Sequence, residues 1–119
     1  MEKSNMENRL PIDWSLGEKL AGNNRAVAEE MIRRLMAILP DDVNNIRNAY
    51  ESKDNADLAL RLHKLHGATC YCGTPRLKEV LAEFEYSVKH EETNAIPVLF
   101  ERFEEEIRLL FEAVKQNKS

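Results

Sequence analysis

Glycine and proline are scarce, with four of each in 119 residues. That is few for an all-β fold with many tight turns, and it favours helices. Cysteine is limited to Cys70 and Cys72. Separated by one residue on a helix, the two point in different directions and are poorly placed for a disulfide with each other. Reduced thiols in a cytoplasmic setting are the simplest reading. A basic excess is also absent. The net charge of −4 argues against a general nucleic-acid binder. No apolar run approaches the roughly 20 residues that span a bilayer, and the N-terminus lacks a basic-then-apolar signal pattern. No strand-loop-helix phosphate cradle occurs, because Gly73-Thr74-Pro75-Arg76-Leu77-Lys78 has neither the Walker spacing nor a preceding strand. No kinase signature set and no nucleophile elbow appear. Internal repeats and low-complexity tracts are missing too.

What is present suits one folded domain with a modest core: 43% hydrophobic and 32% charged residues. Residues 1–9 are polar and read as a flexible segment, with a second flexible stretch at 116–119. Order is expected over 10–115. Asp13 is an N-cap for a short first helix that lays Ile12, Leu16, Leu20 and Trp14 against a core. Gly22-Asn23-Asn24 breaks it. A second helix over 25–39 carries Val27, Ala28, Met31, Ile32, Leu35, Ile38 and Leu39 on a wide apolar face. Pro40 ends it, and Pro40-Asp41-Asp42 suits a new start. A third helix then buries Val43, Ile46 and Tyr50. The fourth, from Asn55 to about Tyr71, lines up Leu58, Leu62, Leu65, Thr69 and Cys72 in one stripe. Gly73 closes it, and Thr74-Pro75 opens a fifth through Leu77, Val80, Leu81, Phe84 and Val88. A sixth, long helix presents Ile96, Leu99, Phe100, Phe103, Ile107, Leu110 and Val114. The expectation is an all-α, antiparallel up-down four-helix bundle from the segments 25–39, 41–53, 55–72 and 74–90. A short N-terminal helix and a long C-terminal helix are additions to it.

Chemistry concentrates in Leu62-His63-Lys64-Leu65-His66-Gly67-Ala68-Thr69-Cys70-Tyr71-Cys72-Gly73. At about 100° per residue, His63 falls roughly 140° from Leu58, well away from the buried stripe. Small residues surround it: Ala56, Ala59, Gly67 and Cys70. Gly67 lies one turn on, and its bare backbone lets a group on His63, or a partner surface, approach closely. A neutral imidazole is a good nucleophile near neutral pH, and one ring nitrogen can take a phosphoryl group while the other is oriented by a hydrogen bond. Lys64 and His66 stand within a turn to meet phosphoryl oxygens. The bland alternative is an ordinary surface histidine. The spacing of His63, His66 and Cys70 also has three metal-type ligands, but a fourth is not evident, so no metal site is assigned. Cys70 and Cys72 read as packing residues, and His90 as a helix-end surface residue.

Leu62-His63-Lys64-Leu65-His66-Gly67, with Gly73 six residues further on, resembles the signature of histidine-containing phosphotransfer (HPt) domains. The continuation through Lys78, the opening Ile12-Asp13-Trp14 and the Leu39-Pro40 pair resemble the C-terminal HPt domain of BarA/GacS-type hybrid sensor kinases. The resemblance spans about 10–115. It implies a phosphorelay intermediate of two-component signalling. His63 would be phosphorylated on Nε2 by the aspartate of one receiver domain and would pass the group to another. No ATP-dependent kinase activity and no cofactor are implied, Mg²⁺ belonging to the partner receiver. Gly67 matches the family glycine that leaves room for the phosphoryl group, and His66 stands where many members have lysine. Glu85 matches the residue that hydrogen-bonds imidazole Nδ1. Its angle, roughly 80° from Leu77, puts it at the rim of the buried face. The docking face would use Ala59, Leu60, Lys64, Gly67, Cys70 and Tyr71. The resemblance further implies response-regulator receivers as partners, with no nucleic acid and no direct membrane contact. A monomeric state and a cytoplasmic location follow, either free or as the cytoplasmic part of an inner-membrane hybrid kinase. The alternative is a non-catalytic helical interaction domain that binds a receiver or another partner without transfer.

Overall fold

The structure, a computed structural model, describes residues 9–116. The expected flexible stretches at 1–9 and 116–119 lie, apart from Arg9 and Gln116, outside the described residues. Five helices follow one another: α1 (Trp14–Leu20), α2 (Arg25–Glu51), α3 (Asn55–Thr69), α4 (Pro75–Lys89) and α5 (Ala95–Gln116). There is no strand among the described residues. Three starts are set by side-chain caps. Asp13, Asn24 and Asp54 each accept a backbone N–H three residues on, from Leu16 at 3.0 Å, Val27 at 3.1 Å and Asp57 at 3.1 Å. Pro75 opens α4 at its first turn, but the hydroxyl of Thr74 does not cap it. That oxygen is buried without a hydrogen-bond partner.

Pro40 does not break the chain, and the two helices expected at 25–39 and 41–53 are one. A proline inside a helix costs about 3 kcal/mol through a lost hydrogen bond and ring crowding. Against that, Leu35, Leu39, Val43 and Ile46 continue a single buried stripe across it. Burying each is worth roughly 1.5–3 kcal/mol, and only an unbroken helix keeps all four in line. Pro40 itself is exposed. The stripe is narrower than its composition suggests, since Val27 and Ile38 are exposed, as is Leu20 of α1.

This continuity changes the membership of the bundle. The four long helices are α2 to α5, so the C-terminal helix is the fourth member and not an addition. Successive helices pack together, and α5 returns to α2, where Tyr50 stacks on Phe100 with ring centroids 4.0 Å apart and Arg47 pairs with Glu104. Pairs that fall as their sequence numbers rise, Glu83 with Arg102 and Arg76 with Glu106, show α4 and α5 antiparallel. Phe84 and Phe103 fill the centre, fully buried, beside Leu58, Leu62, Leu65 and Leu81. Leu58, Leu62, Leu65 and Thr69 all face inward, as their spacing predicts, and Cys72 remains buried just past the helix end.

Helix α1 is fastened to the turn between α3 and α4. The Asp13 N–H donates to the Gly73 carbonyl at 2.7 Å. A Cβ on Gly73 would lie 2.3 Å from the Asp13 carbonyl oxygen and 2.7 Å from the Gly17 nitrogen. Gly73 is therefore required by close backbone approach. It does not terminate α3, which ends four residues earlier, at Thr69. Gly67 is the opposite case, because a Cβ there meets nothing within 4 Å. Gly73→Ala is expected to lower unfolding free energy by about 1–3 kcal/mol through overpacking. Gly67→Ala should leave it unchanged or raise it by up to ~1 kcal/mol through helix propensity. Urea denaturation of the two variants checks this, and equal effects would refute the distinction.

Candidate functional site

The buried stripe of α3 decides where the chemistry-bearing side chains go. With Leu58, Leu62 and Leu65 turned into the core, Leu60, Lys64, Gly67 and Tyr71 lie on the open side. His63 stands between that open side and the edge that meets α4. Its side chain is 67% exposed, and Nδ1 lies 3.0 Å from Glu85 Oε2. Glu85 itself is nearly buried, with a side chain 11% exposed. The Lys89 ammonium donates to the same Oε2 at 2.7 Å. Burial works against the charged form of Glu85, but the hydrogen bonds from Lys89 and His63 outweigh it and hold the carboxyl below the ordinary carboxylate range. An ionised Glu85 can only accept, so at neutral pH Nδ1 of the imidazole carries the hydrogen. The lone pair of the neutral ring then lies on Nε2.

Lys64 and His66 flank His63 in different directions. Lys64 is exposed toward α2, within electrostatic reach of Asp42, whose carboxyl is pushed up chiefly by burial. His66 is half-buried and turned toward α4. It lines a cleft of about 320 Å³ with Leu16 and Leu20 of α1, Cys70, Lys78 and Ala82. Helix geometry explains the split: His66 lies about 60° further around α3 toward α4 than His63 does. Of the six docking candidates, Leu60 and Tyr71 are strongly exposed at 52% and 64%, and Lys64 and Gly67 are exposed beside them. Ala59 and Cys70 are half-buried at the α4 edge. His63, His66 and Cys70 do not gather. Among the described residues no three His, Cys, Asp or Glu side chains converge as a metal cluster would require. Burial pushes the Cys72 thiol up to about 11, so it stays protonated at neutral pH, with its sulfur 3.5 Å from the Ala68 carbonyl. His90 is exposed at the end of α4, its ring stacked on Tyr86.

An exposed imidazole, its Nδ1 tied to a buried carboxylate across a helical seam, can be set beside known proteins. The family model described as the Hpt domain matches residues 30–117. The chain belongs to the Hpt domain family. Its relatives include the sensor histidine kinase GacS of Pseudomonas protegens, 36% identical over 90 residues that make up 76% of this chain and 10% of that protein. The histidine-protein kinase BarA of Escherichia coli is 28% identical over 106 residues, covering 87% of this chain and 12% of BarA. The chain thus spans about a tenth of the length of these kinases. The crystal structure of the HPT domain from a hybrid histidine kinase of Shewanella superposes with a TM-score of 0.72 at 27% identity. It covers 92% of this chain and 97% of its own.

Within this Hpt domain, sequence reasoning missed Lys89. Its signal was available, since Glu85 and Lys89 stand at i and i+4 with the acid first, the favourable order for a helical ion pair. No helix among the described residues is long and apolar enough to cross a membrane.

Because the folded Glu85 carboxyl titrates below its ordinary value, it contributes stability above that value and loses it as pH falls through the lowered one. Glu85→Gln is therefore expected to be less stable than the parent at pH 7, with the difference shrinking below about pH 4. Urea unfolding at pH 7, 5 and 3 measures it. A difference that does not change with pH would show that the carboxylate's charge plays no part.

Proposed function

We propose that the domain is a phosphorelay intermediate in which His63 takes a phosphoryl group from the aspartyl phosphate of one receiver domain and gives it to the aspartate of another. The observation that carries this reading is the His63–Glu85 pair. It orients an exposed ring and leaves the Nε2 lone pair for attack. In the accepting step that lone pair forms the N–P bond as the P–O bond to the donor aspartate breaks, and the aspartate leaves as a carboxylate. Positive charge develops on the ring, and Glu85 stabilises it through the Nδ1 hydrogen. The second transfer is the reverse, with the incoming aspartate as nucleophile and the neutral ring as leaving group. No proton needs to leave Nδ1 in either direction.

The open face of α3 supports the same reading. Gly67 leaves free space one turn from the ring. Leu60 and Tyr71 offer apolar contact, and Lys64 offers a positive charge toward the phosphoryl group and the acidic pocket of a receiver. His66 reaches that surface only from the side, as a residue of the cleft between α1 and α4. A small, transient contact of under about 1,200 Å² fits a partner that must leave after each transfer. Mg²⁺ is expected on the receiver. The domain carries no ATP-dependent step of its own in this reading, which also implies a cytoplasmic location.

The test is to mix the domain with a phosphorylated receiver and follow phosphate onto the chain. The expected product is acid-labile and base-stable and is lost in His63→Gln. Gly67→Leu should slow transfer more than ~10-fold with thermal stability retained, because it fills the approach to the ring and nothing else. Transfer that survives His63→Gln would overturn the assignment. Receiver binding without any phosphate on the chain would instead indicate a non-catalytic interaction domain.

A further inference from the structure

One carboxylate oxygen serves two donors. Glu85 Oε2 accepts from His63 Nδ1 at 3.0 Å and from Lys89 Nζ at 2.7 Å. The carboxylate is 11% exposed, against 67% for the His63 side chain and 54% for that of Lys89. It is the anchored member of the triplet, and both partners reach it from solvent. Lys89 has two independent reasons to stay. It follows Glu85 at i+4, the favourable order for such a pair, and as the last residue of α4 it sits at the negative end of the helix.

We infer that Lys89 is a positioning residue: by sharing Glu85 Oε2 it limits the negative charge that His63 meets at Nδ1, and so sets how tightly the imidazole holds a second proton. An unshared, nearly buried carboxylate favours the imidazolium strongly, and an imidazolium has no lone pair on Nε2. The lysine offsets part of that charge without displacing the hydrogen bond that orients the ring. It thereby favours the neutral, nucleophilic ring near neutral pH while Glu85 remains ionised. The other titratable groups of α3 beside His63 are Lys64, which lies within electrostatic reach of Asp42 on α2, and His66, which lines the cleft toward α1. They are common to every variant below and cancel in the comparison. The bearing on phosphoryl transfer rests on the phosphoacceptor reading of His63, whereas the proton equilibrium does not.

The experiment is an NMR titration of the His63 ring in the whole chain, from pH 5 to 8.5, for the parent, Lys89→Gln, Glu85→Gln and the double variant. Lys89→Met serves as a second removal of the charge, and amide spectra verify the fold of each. Loss of Lys89 is expected to raise the His63 midpoint by roughly 0.3–0.5 pH unit, a two- to three-fold gain in proton affinity. Glu85→Gln should lower it, and the double variant should match Glu85→Gln, because Lys89 acts through Glu85. A midpoint within about 0.1 unit of the parent in both Lys89 variants would overturn the inference. So would the same upward shift on the Glu85→Gln background, which would mean a direct field from the lysine. No phosphoryl donor enters these titrations, so they succeed or fail separately from the transfer assay.

Discussion

The register between α3 and α4 is the constraint on which the site depends. Leu58, Leu62 and Leu65 from one helix and Val80, Leu81, Phe84 and Val88 from the other are buried along the same seam. That packing decides which residues of the two helices stand opposite each other. A hydrogen bond of 3.0 Å between His63 and Glu85 exists only in this register. Sliding one helix by a single residue along its axis displaces the pair by about 1.5 Å and turns the side chains about 100° apart. The apolar core thus holds in place a polar contact at its rim.

The same seam sets the charge state of the carboxylate. At the rim Glu85 is withdrawn from water but not enclosed, and its two cationic or hydrogen-bonding neighbours offset the penalty of burial. A fully exposed acid would be screened and would move freely. A fully enclosed one would tend toward its neutral form and lose the ability to accept from Nδ1 without donating. The turn from Cys70 to Thr74 completes the frame. Gly73 and Gly17 let α1 close against that turn, and α1 supplies the far wall of the cleft in which His66 lies.

Much of this was legible before any coordinates. The inward stripe of α3 and the outward His63 follow from a period of 3.6 residues and the identity of the residues. Asp13 was legible as a cap because its short side-chain oxygen suits that position, whereas Asp54 caps α3 by the same chemistry without having been read so. Pro40 was misleading because a local rule about one backbone bond was weighed without the burial on either side of it. Thr74 occupies the capping position, yet its hydroxyl makes no cap hydrogen bond, and Gly73 looked like a helix terminator when its role is to admit another backbone. The outcomes at Pro40 and Gly73 depend on neighbours distant in sequence, which no local pattern contains.

The sequence by itself determined a helical chain, the inner and outer faces of α3 and α4 and the exposure of His63. All of these follow from the spacing of apolar residues along a helix of known period. Only the tertiary structure decided that 25–51 is one helix, that α5 is the fourth wall of the bundle, and that Glu85 Oε2 meets both His63 and Lys89. It also separated Gly67, which faces open space, from Gly73, which is pressed between backbones. The physical reason is common to all of them. Periodicity fixes directions within one helix, whereas distances between helices are set by how side chains from different parts of the chain fill a shared core.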